Sequence, residues 1–346
     1  MLKTLSSPFD LLLCRPGSTD LLQRELEECH GVHSRIVSPG LLQLDSGTAP
    51  TAPCMFEAQR VPSARFYPLE KGDRIPDEVC EAVWTSWAET PRPWGAHSLT
   101  PEGEGPRETG RLRGVARELV RKGNRLHPGL AKWERDPAKL FAADKGCIQQ
   151  WVLAPEGLFF GTAAPSALSS SAPGGRFRMK MDPAAPSRSY LKIEEAFARM
   201  GREPAEGETA IDLGAAPGGW SYALARRGCH VTAVDNGPLK IKDASVRRIE
   251  HLHADGLRFR LSRRQPAVDW LVADMLVPPG KGFGVLRHWI GDRKCSHLVF
   301  NLKLPQGEPI AALLPVRDWL SQFNELQIRQ LYHDRREVTV FGSITS

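Results

Sequence analysis

The sequence predicts an α/β protein in which one α/β domain occupies the chain from about residue 186 onward and a smaller α+β region precedes it. Two observations carry this. Residues 208–220, ETAIDLGAAPGGW, read as a buried strand, a Gly-rich turn and a helix start, and further apolar strands follow at HVTAVD, VDWLVADM and FNLKLP, which carry Asp235, Asp274 and Lys303 at or near their ends. Strands that alternate with helical patterns imply a parallel sheet. At the other end, FDLLLCRPGSTDLLQRELEECHG gives a strand, a turn and a helix, the order of a small α+β unit.

Taken in order, Leu11 to Cys14 form a short strand, Pro16-Gly17 a turn, and Ser18 or Thr19 the N-cap of a helix whose spacing is set by Leu21, Leu22 and Leu26. Residues 45–75, rich in Pro, Ser, Thr and Ala, read as loops. Val79 to Trp87 carries apolar residues at 79, 83, 84 and 87, a second helix, and residues 89–106 read as another loop or a strand edge. In RLRGVARELVRK at 111–122, Leu112, Val115, Ala116, Leu119 and Val120 share one helical face while Arg113, Arg117 and Arg121 recur every four residues opposite. That stripe is either a solvated outer face or a contact for RNA phosphates, which suit the planar guanidinium. IQQWVLAPEGLFFGT at 148–162 reads as a hairpin turning at Ala154 to Gly157, and SALSSSAPGG at 166–175 as linker. No internal repeat is present.

With 346 residues, 41% hydrophobic and a net charge of +6, the composition excludes a disordered chain. The charge is uneven: residues 1–104 carry 9 Lys/Arg against 15 Asp/Glu, 105–145 carry 11 against 5, and 146–346 carry 26 against 20. Of the 46 cations 33 are Arg and 13 Lys. Seven cysteines without a C-x-x-C pair give neither a zinc ribbon nor a disulfide framework, so a reducing, cytoplasmic setting is expected. Pro8 and Asp10 interrupt the first apolar run, which therefore fails as a signal peptide, and no stretch approaches the ~18–20 apolar residues of a membrane span. His251, His253 and His333 lack metal-ligand spacing, so no metal is expected.

The turn after the strand at 209–213 holds Gly214, Pro217, Gly218 and Gly219 just before a helix, a place where a ligand can approach backbone N–H groups. It is not G-x-G-x-x-G, because the third glycine is missing and a proline occupies the turn. Asp235 ends the second strand 21 residues after Gly214, placed to accept from a ribose diol. A nucleoside cofactor is expected. Asp255 follows a short third strand, Asp274 ends VDWLVAD, and Lys303 sits on FNLKLP. Trp220 and Tyr222 read as core aromatics. Arg247, Arg248, Arg258, Arg260, Arg263 and Arg264 form either a solvated face or a phosphate-tracking rim beside the site.

DPAAPSRSYLKIEEAF, DLGAAPGGWSYALARRG, VDNGP, VADM, FNLKLP and RQLYHDRREVTV together resemble the class I S-adenosylmethionine-dependent ribose 2′-O-methyltransferases, in detail the bacterial 23S ribosomal RNA cytidine 2′-O-methyltransferase M family. The resemblance covers most of residues 182–340; in the first half it rests on LLLCRPG and the general layout. It implies a Rossmann-like methyltransferase domain at 186–346, preceded by a ferredoxin-like subdomain at 1–60, a THUMP-like RNA-binding subdomain at 61–165 and a linker at 166–185. It further implies S-adenosyl-L-methionine as cofactor and large-subunit ribosomal RNA as partner, free or in a precursor particle, with no DNA, no membrane and a monomeric protein. Cofactor roles fall on Ser189, Gly214, Ala216, Pro217, Gly218, Gly219, Asp235, Asp255 and Asp274, with Asp235 on the ribose diol and Asp255 on the adenine edge. Ala216 stands where relatives often carry cysteine, a change that a backbone contact tolerates.

The family's Lys-Asp-Lys-Glu tetrad falls on Lys192, Asp274, Lys303 and Glu337. A ribose 2′-hydroxyl is a poor nucleophile, so it must be held in line with the methyl group and relieved of its proton. Lys303 is the expected base, with a pKa lowered by Lys192 and by partial burial. Asp274 is expected to orient the lysines and touch the methionine end of the cofactor, and Glu337 to hold Lys192 or the substrate ribose. Two alternatives stay open: methylation of another RNA, and a non-catalytic RNA-binding assembly factor with a relict pocket. Base N-methylation is disfavoured by the strand end Asn301-Leu302-Lys303-Leu304-Pro305, which is not an Asn/Asp-Pro-Pro-aromatic element.

Overall fold

The computed structural model describes residues 5–69, 74–88, 92–101, 106–242 and 248–344. Its contacts divide the chain into two units, Met1–Arg176 and Phe177–Ser346. No helix among the described residues is long and apolar enough to cross a membrane, and none of the seven cysteines is in a disulfide.

Among the described residues, the first unit is a seven-stranded sheet with four α-helices. Its strands are β1 (Phe9–Leu13), β2 (Arg35–Ser38), β3 (Leu41–Asp45), β4 (Gln59–Pro68), β5 (Trp94–Leu99), β6 (Cys147–Ala154) and β7 (Gly157–Ala163), in the order β2-β3-β1-β4-β7-β6-β5. All neighbours pair antiparallel except β5 with β6. The helices are α1 (Thr19–His30), α2 (Asp77–Ala88), α3 (Pro106–Leu126) and α4 (Pro137–Ala143). Every residue of β1 is buried, Asp10 included, as suits a largely apolar strand in mid-sheet. Neither expected cap serves α1: Ser18 makes no side-chain cap bond. Instead the Thr19 hydroxyl donates to Pro16 O at 2.8 Å and accepts from Gly40 N at 2.9 Å.

Within 45–75, read as loop from composition, β4 runs for ten residues at the middle of the sheet. The prolines misled because Pro62, which has no N–H to give, sits where the ladder with β1 slips register between Phe9 and Leu11. Asp10 repairs the slip, its carboxylate accepting from Ser63 N and Gly47 N, each at 2.9 Å. Because β4 pairs with both β1 and β7, a single sheet runs through residue 60. Trp94–Leu99 forms the edge strand β5, while residues 89–91 and 102–105 of that reading lie outside the described residues. The stretch 166–175 is held to its unit and does not dangle: Gln59 Nε2 donates to Ser170 O at 2.9 Å and Gln59 Oε1 accepts from Ser169 N at 3.1 Å.

Helix α3 buries Leu112, Val115 and Leu119 against Val79, Val83 and Trp84 of α2 and against Trp94, Trp151 and Phe160 of the sheet. Arg113, Arg117 and Arg121 are exposed on the other side. The amphipathic spacing therefore states the packing.

The second unit carries β8 (Thr209–Leu213), β9 (His230–Val234), β10 (Ile249–Leu252), β11 (Val268–Ala273), β12 (Cys295–Lys303), β13 (Leu326–Arg329) and β14 (Glu337–Ser343), in the order β10-β9-β8-β11-β12-β14-β13. The first five run parallel, and β14 is antiparallel to both its neighbours. Helices α5 (Tyr190–Met200), α6 (Gly219–Arg226), α7 (Pro279–Gly291) and α8 (Pro309–Leu320) connect them. The chain leaves β8 in one direction to β9 and β10 and then crosses back to β11 and β12. The reversal opens a crevice at the carboxyl ends of β8 and β11, where ligands bind in sheets of this kind.

Candidate active site

Strand order alone brings the separated site residues together. Gly214, Asp235, Asp274 and Lys303 all lie at or just past the carboxyl ends of parallel strands. Glu337 begins antiparallel β14 directly opposite Lys303 in the ladder. Lys192 lies in the first turn of α5.

The four side chains close into an alternating cluster of two cations and two anions. Lys303 Nζ donates to Asp274 Oδ1 at 2.9 Å and to Glu337 Oε2. Lys192 Nζ reaches Asp274 Oδ2 at 3.2 Å and Glu337 Oε1 at 2.5 Å. Lys192 is 8% exposed and Glu337 4%, so the charges interact where water screens them little. Burial alone would raise both carboxyls, but the two lysines overcome it and hold Asp274 and Glu337 below their ordinary ranges. For Lys303 the balance reverses the sequence expectation. Burial pushes its ammonium down, but Asp274 and Glu337 push harder, and its pKa lies above the ordinary lysine value. The proximity of a second lysine was legible; the two carboxylates clasping the first one outweigh it.

One partner was missed. Asn301 is fully buried two residues before Lys303 and donates from Nδ2 to Asp274 Oδ1 at 3.0 Å. Period-two alternation puts both side chains on one face of β12, a signal available in FNLK. Thr339, opposite Asn301 in the ladder, lies 3.2 Å from its Oδ1 through its own hydroxyl and also meets Asp334. A second fixture ties α5 to the loop before β14: buried Glu195 accepts from Tyr332 N and His333 N at 2.9 and 3.0 Å.

The Gly-rich turn is shaped by sterics. Gly214 adopts φ +75 and its absent Cβ would fall 2.5 Å from Met275 Cγ; Gly218 adopts φ +109 at the N-cap of α6, with Ile241 Cγ1 2.8 Å from a built Cβ. Neither position accepts a side chain, so the backbone stays open to a ligand. Asp235 accepts from Ala216 N at 3.0 Å and Gly237 N at 2.6 Å. Each bond uses one lone pair of a different oxygen, so the fixed carboxylate can still accept from a diol. Ser189 adjoins the turn, its Oγ 3.0 Å from the Cβ position of Gly219 and its carbonyl accepting from Trp220 Nε1 at 2.8 Å. Asp255 is exposed after β10, accepting from Leu257 N at 2.9 Å with Arg258 at 3.6 Å. The chemistry of this donor and acceptor set fits a nucleoside-bearing cofactor. Beneath it, burial pushes the Asp212 carboxyl up to about 7 while Ser221 Oγ donates to it at 2.6 Å.

Trp220 and Tyr222 are core residues, each 2% exposed. The arginine stretch divides: Arg247 lies outside the described residues, and Arg258 stands beside Asp255. Arg263 and Arg264 belong to a segment whose carbonyls Lys294 holds, at 3.0 Å for Ser262 O and 2.9 Å for Gln265 O. Lys294 directly precedes β12, so this segment lies at the amino ends of the strands, away from the tetrad and not on its rim.

Residues 185–301 match the family model described as FtsJ-like methyltransferase. The chain is 41% identical over 181 residues to the ribosomal RNA large subunit methyltransferase M of Azoarcus sp. (strain BH72), covering 49% of each chain. It is 44% identical over 188 residues to the protein of that name from Alkalilimnicola ehrlichii, covering 52% of this chain and 51% of that one. To that of Thauera aminoaromatica it is 40% identical over 184 residues, covering 50% of each. The chain thus matches about half the length of these curated relatives. With its Gly-rich turn and its strand order the second unit has a Rossmann-like fold, and residues 185–301 within it are similar to the FtsJ-like methyltransferases.

Proposed function

We propose that the protein methylates the 2′-hydroxyl of a ribose in large-subunit ribosomal RNA, with S-adenosylmethionine as methyl donor and a cytidine as the target. The observation that carries the reading is the alternating cluster of Lys192, Asp274, Lys303 and Glu337 beside the Gly-rich turn. Relatives named for large-subunit ribosomal RNA supply the substrate class.

S-adenosylmethionine supplies, when bound, a methyl group made electrophilic by its sulfonium. The backbone from Gly214 to Gly219 and the side chains of Ser189, Asp235 and Asp255 would hold it, Asp235 at the ribose diol and Asp255 at the adenine edge. In its neutral form Lys303 would take the proton from the 2′-hydroxyl as the ribose oxygen bonds the methyl carbon and that carbon's bond to sulfur breaks, the electron pair staying on sulfur. Asp274 and Glu337 hold both lysines in place through paired charge, and Lys192 keeps the two carboxylates from being left uncompensated. The expectation of a THUMP-like first region enters here as an RNA-holding role for the first unit, for which the exposed arginine face of α3 is the support.

Methyl transfer from labelled S-adenosylmethionine to ribosomal RNA, followed by nuclease digestion, tests the reading. The wild type should yield 2′-O-methylcytidine, and Lys303→Ala should lose transfer by roughly a hundredfold or more while cofactor affinity changes little. A methylated base as product, or full transfer by the alanine variant, overturns it.

A further inference from the structure

Behind the tetrad lies a buried polar chain that the tetrad's own chemistry does not use. Asp334, Thr339 and Asn301 are each no more than 1% exposed. Their hydrogen-bond directions follow from what each atom can do. The carboxylate of Asp274 only accepts, so Asn301 faces it with its amide N–H at 3.0 Å and turns its carbonyl oxygen to Thr339. That carbonyl oxygen also only accepts, so the Thr339 hydroxyl commits its single proton there, across 3.2 Å. Thr339 Oγ1 additionally lies 3.0 and 3.3 Å from the two oxygens of Asp334. One hydroxyl proton cannot serve both contacts, and every atom is satisfied only when Asp334, as a neutral acid, brings the second proton.

We propose that Asp334, Thr339 and Asn301 form a one-way hydrogen-bond chain, from a neutral carboxylic acid through a hydroxyl to an amide, that fixes Asp274 in the orientation holding Lys303. They are positioning residues, since they reach the reacting atoms only through Asp274. The surroundings of Asp334 agree. Burial drives its carboxyl well up, and Glu337 of β14 and Glu195 of α5 add to this, against Leu331 N, which donates to it, and Lys192.

The kinetic part of the test rests on the methyl-transfer reading; an unfolding measurement on the same full-length proteins does not. Thr339→Val keeps the side-chain shape and cuts the chain, and should lower kcat by about ten- to a hundredfold with KM for RNA little changed. Asp334→Asn keeps a donor for Thr339 and should retain most of the activity, whereas Asp334→Ala should fall with Thr339→Val. A carboxyl held neutral in the fold above its unfolded value of 3.8 makes stability fall as pH rises past that value toward the folded pKa. Urea unfolding should therefore show wild type losing stability relative to Asp334→Asn as pH rises from about 4 toward 8. Unchanged kcat in Thr339→Val, equal damage from the Asn and Ala changes at 334, or parallel pH curves for wild type and Asp334→Asn each overturn the chain. A wild type that methylates no RNA overturns the proposed function instead, and the unfolding curves then decide the state of Asp334.

Discussion

Lys303 is clasped by Asp274 at 2.9 Å and by Glu337, and both carboxylates favour its charged form. A base must be deprotonated to act, so in the free protein only a small fraction of molecules is competent at neutral pH. Since kcat/KM reports the free enzyme, log kcat/KM should climb by about one unit per pH unit from about 7 and show no plateau below about 10, lysine's ordinary range. A plateau near neutrality would mean that Lys303 orients the substrate and does not take its proton. This residue also shows what a sequence can carry. Lys192, Asp274, Lys303 and Glu337 were legible as one set only through the family resemblance, whose tetrad they match in order. The direction of the Lys303 shift was not, because it depends on which carboxylate oxygens lie within 3 Å. Asn301 escaped for a related reason: alternation places it on the face of Lys303, but which group its amide meets shows only against Asp274.

Elements with a strong period were readable and those built on irregular backbone were not. Helix α3 and the parallel strands of the second unit follow from apolar spacing, since each buries one stripe or a whole strand. Strand β4 hid behind Pro62 and Ser63, where a bulge breaks the alternation and Ser63 takes φ +48. Close helix packing was hidden as well. At Gly123 on α3, a built Cβ would fall 1.6 Å from Trp84 Cε2, inside the indole of α2, whose Nε1 donates to Leu119 O at 3.0 Å. Propensity alone says that Gly123→Ala stabilises a helix by about 1 kcal/mol. Overpacking a fully buried tryptophan opposes that by about 1–3 kcal/mol, and at so short a distance the packing term wins. Urea unfolding should show Gly123→Ala destabilised, by about 1 kcal/mol or more; a stabilised variant would mean that α2 and α3 part without loss.

At the scale of the whole molecule, the proposed function raises the question of which of the 33 arginines would meet RNA. Many are spent on the fold: Arg227 pairs with Glu194 and Glu203, and Arg60 with Glu57. The arginines at 263 and 264 lie at the amino ends of the strands, away from the tetrad. Among the exposed arginines, Arg113, Arg117 and Arg121 form a stripe along α3 whose opposite face is packed. Their positions make the test clean. Alanine is the best helix former and none of the three side chains is buried, so replacing all three with alanine leaves the fold intact. If the stripe follows a phosphate backbone, each lost contact removes about 0.7–0.9 from the slope of log affinity against log salt. The triple variant should therefore bind ribosomal RNA more weakly, with a slope shallower by about 2–3, while S-adenosylmethionine affinity stays at the wild-type value. A slope equal to that of the wild type would make the stripe a solvated helix face and move the search for the RNA path to the second unit, beginning at Arg258 beside Asp255.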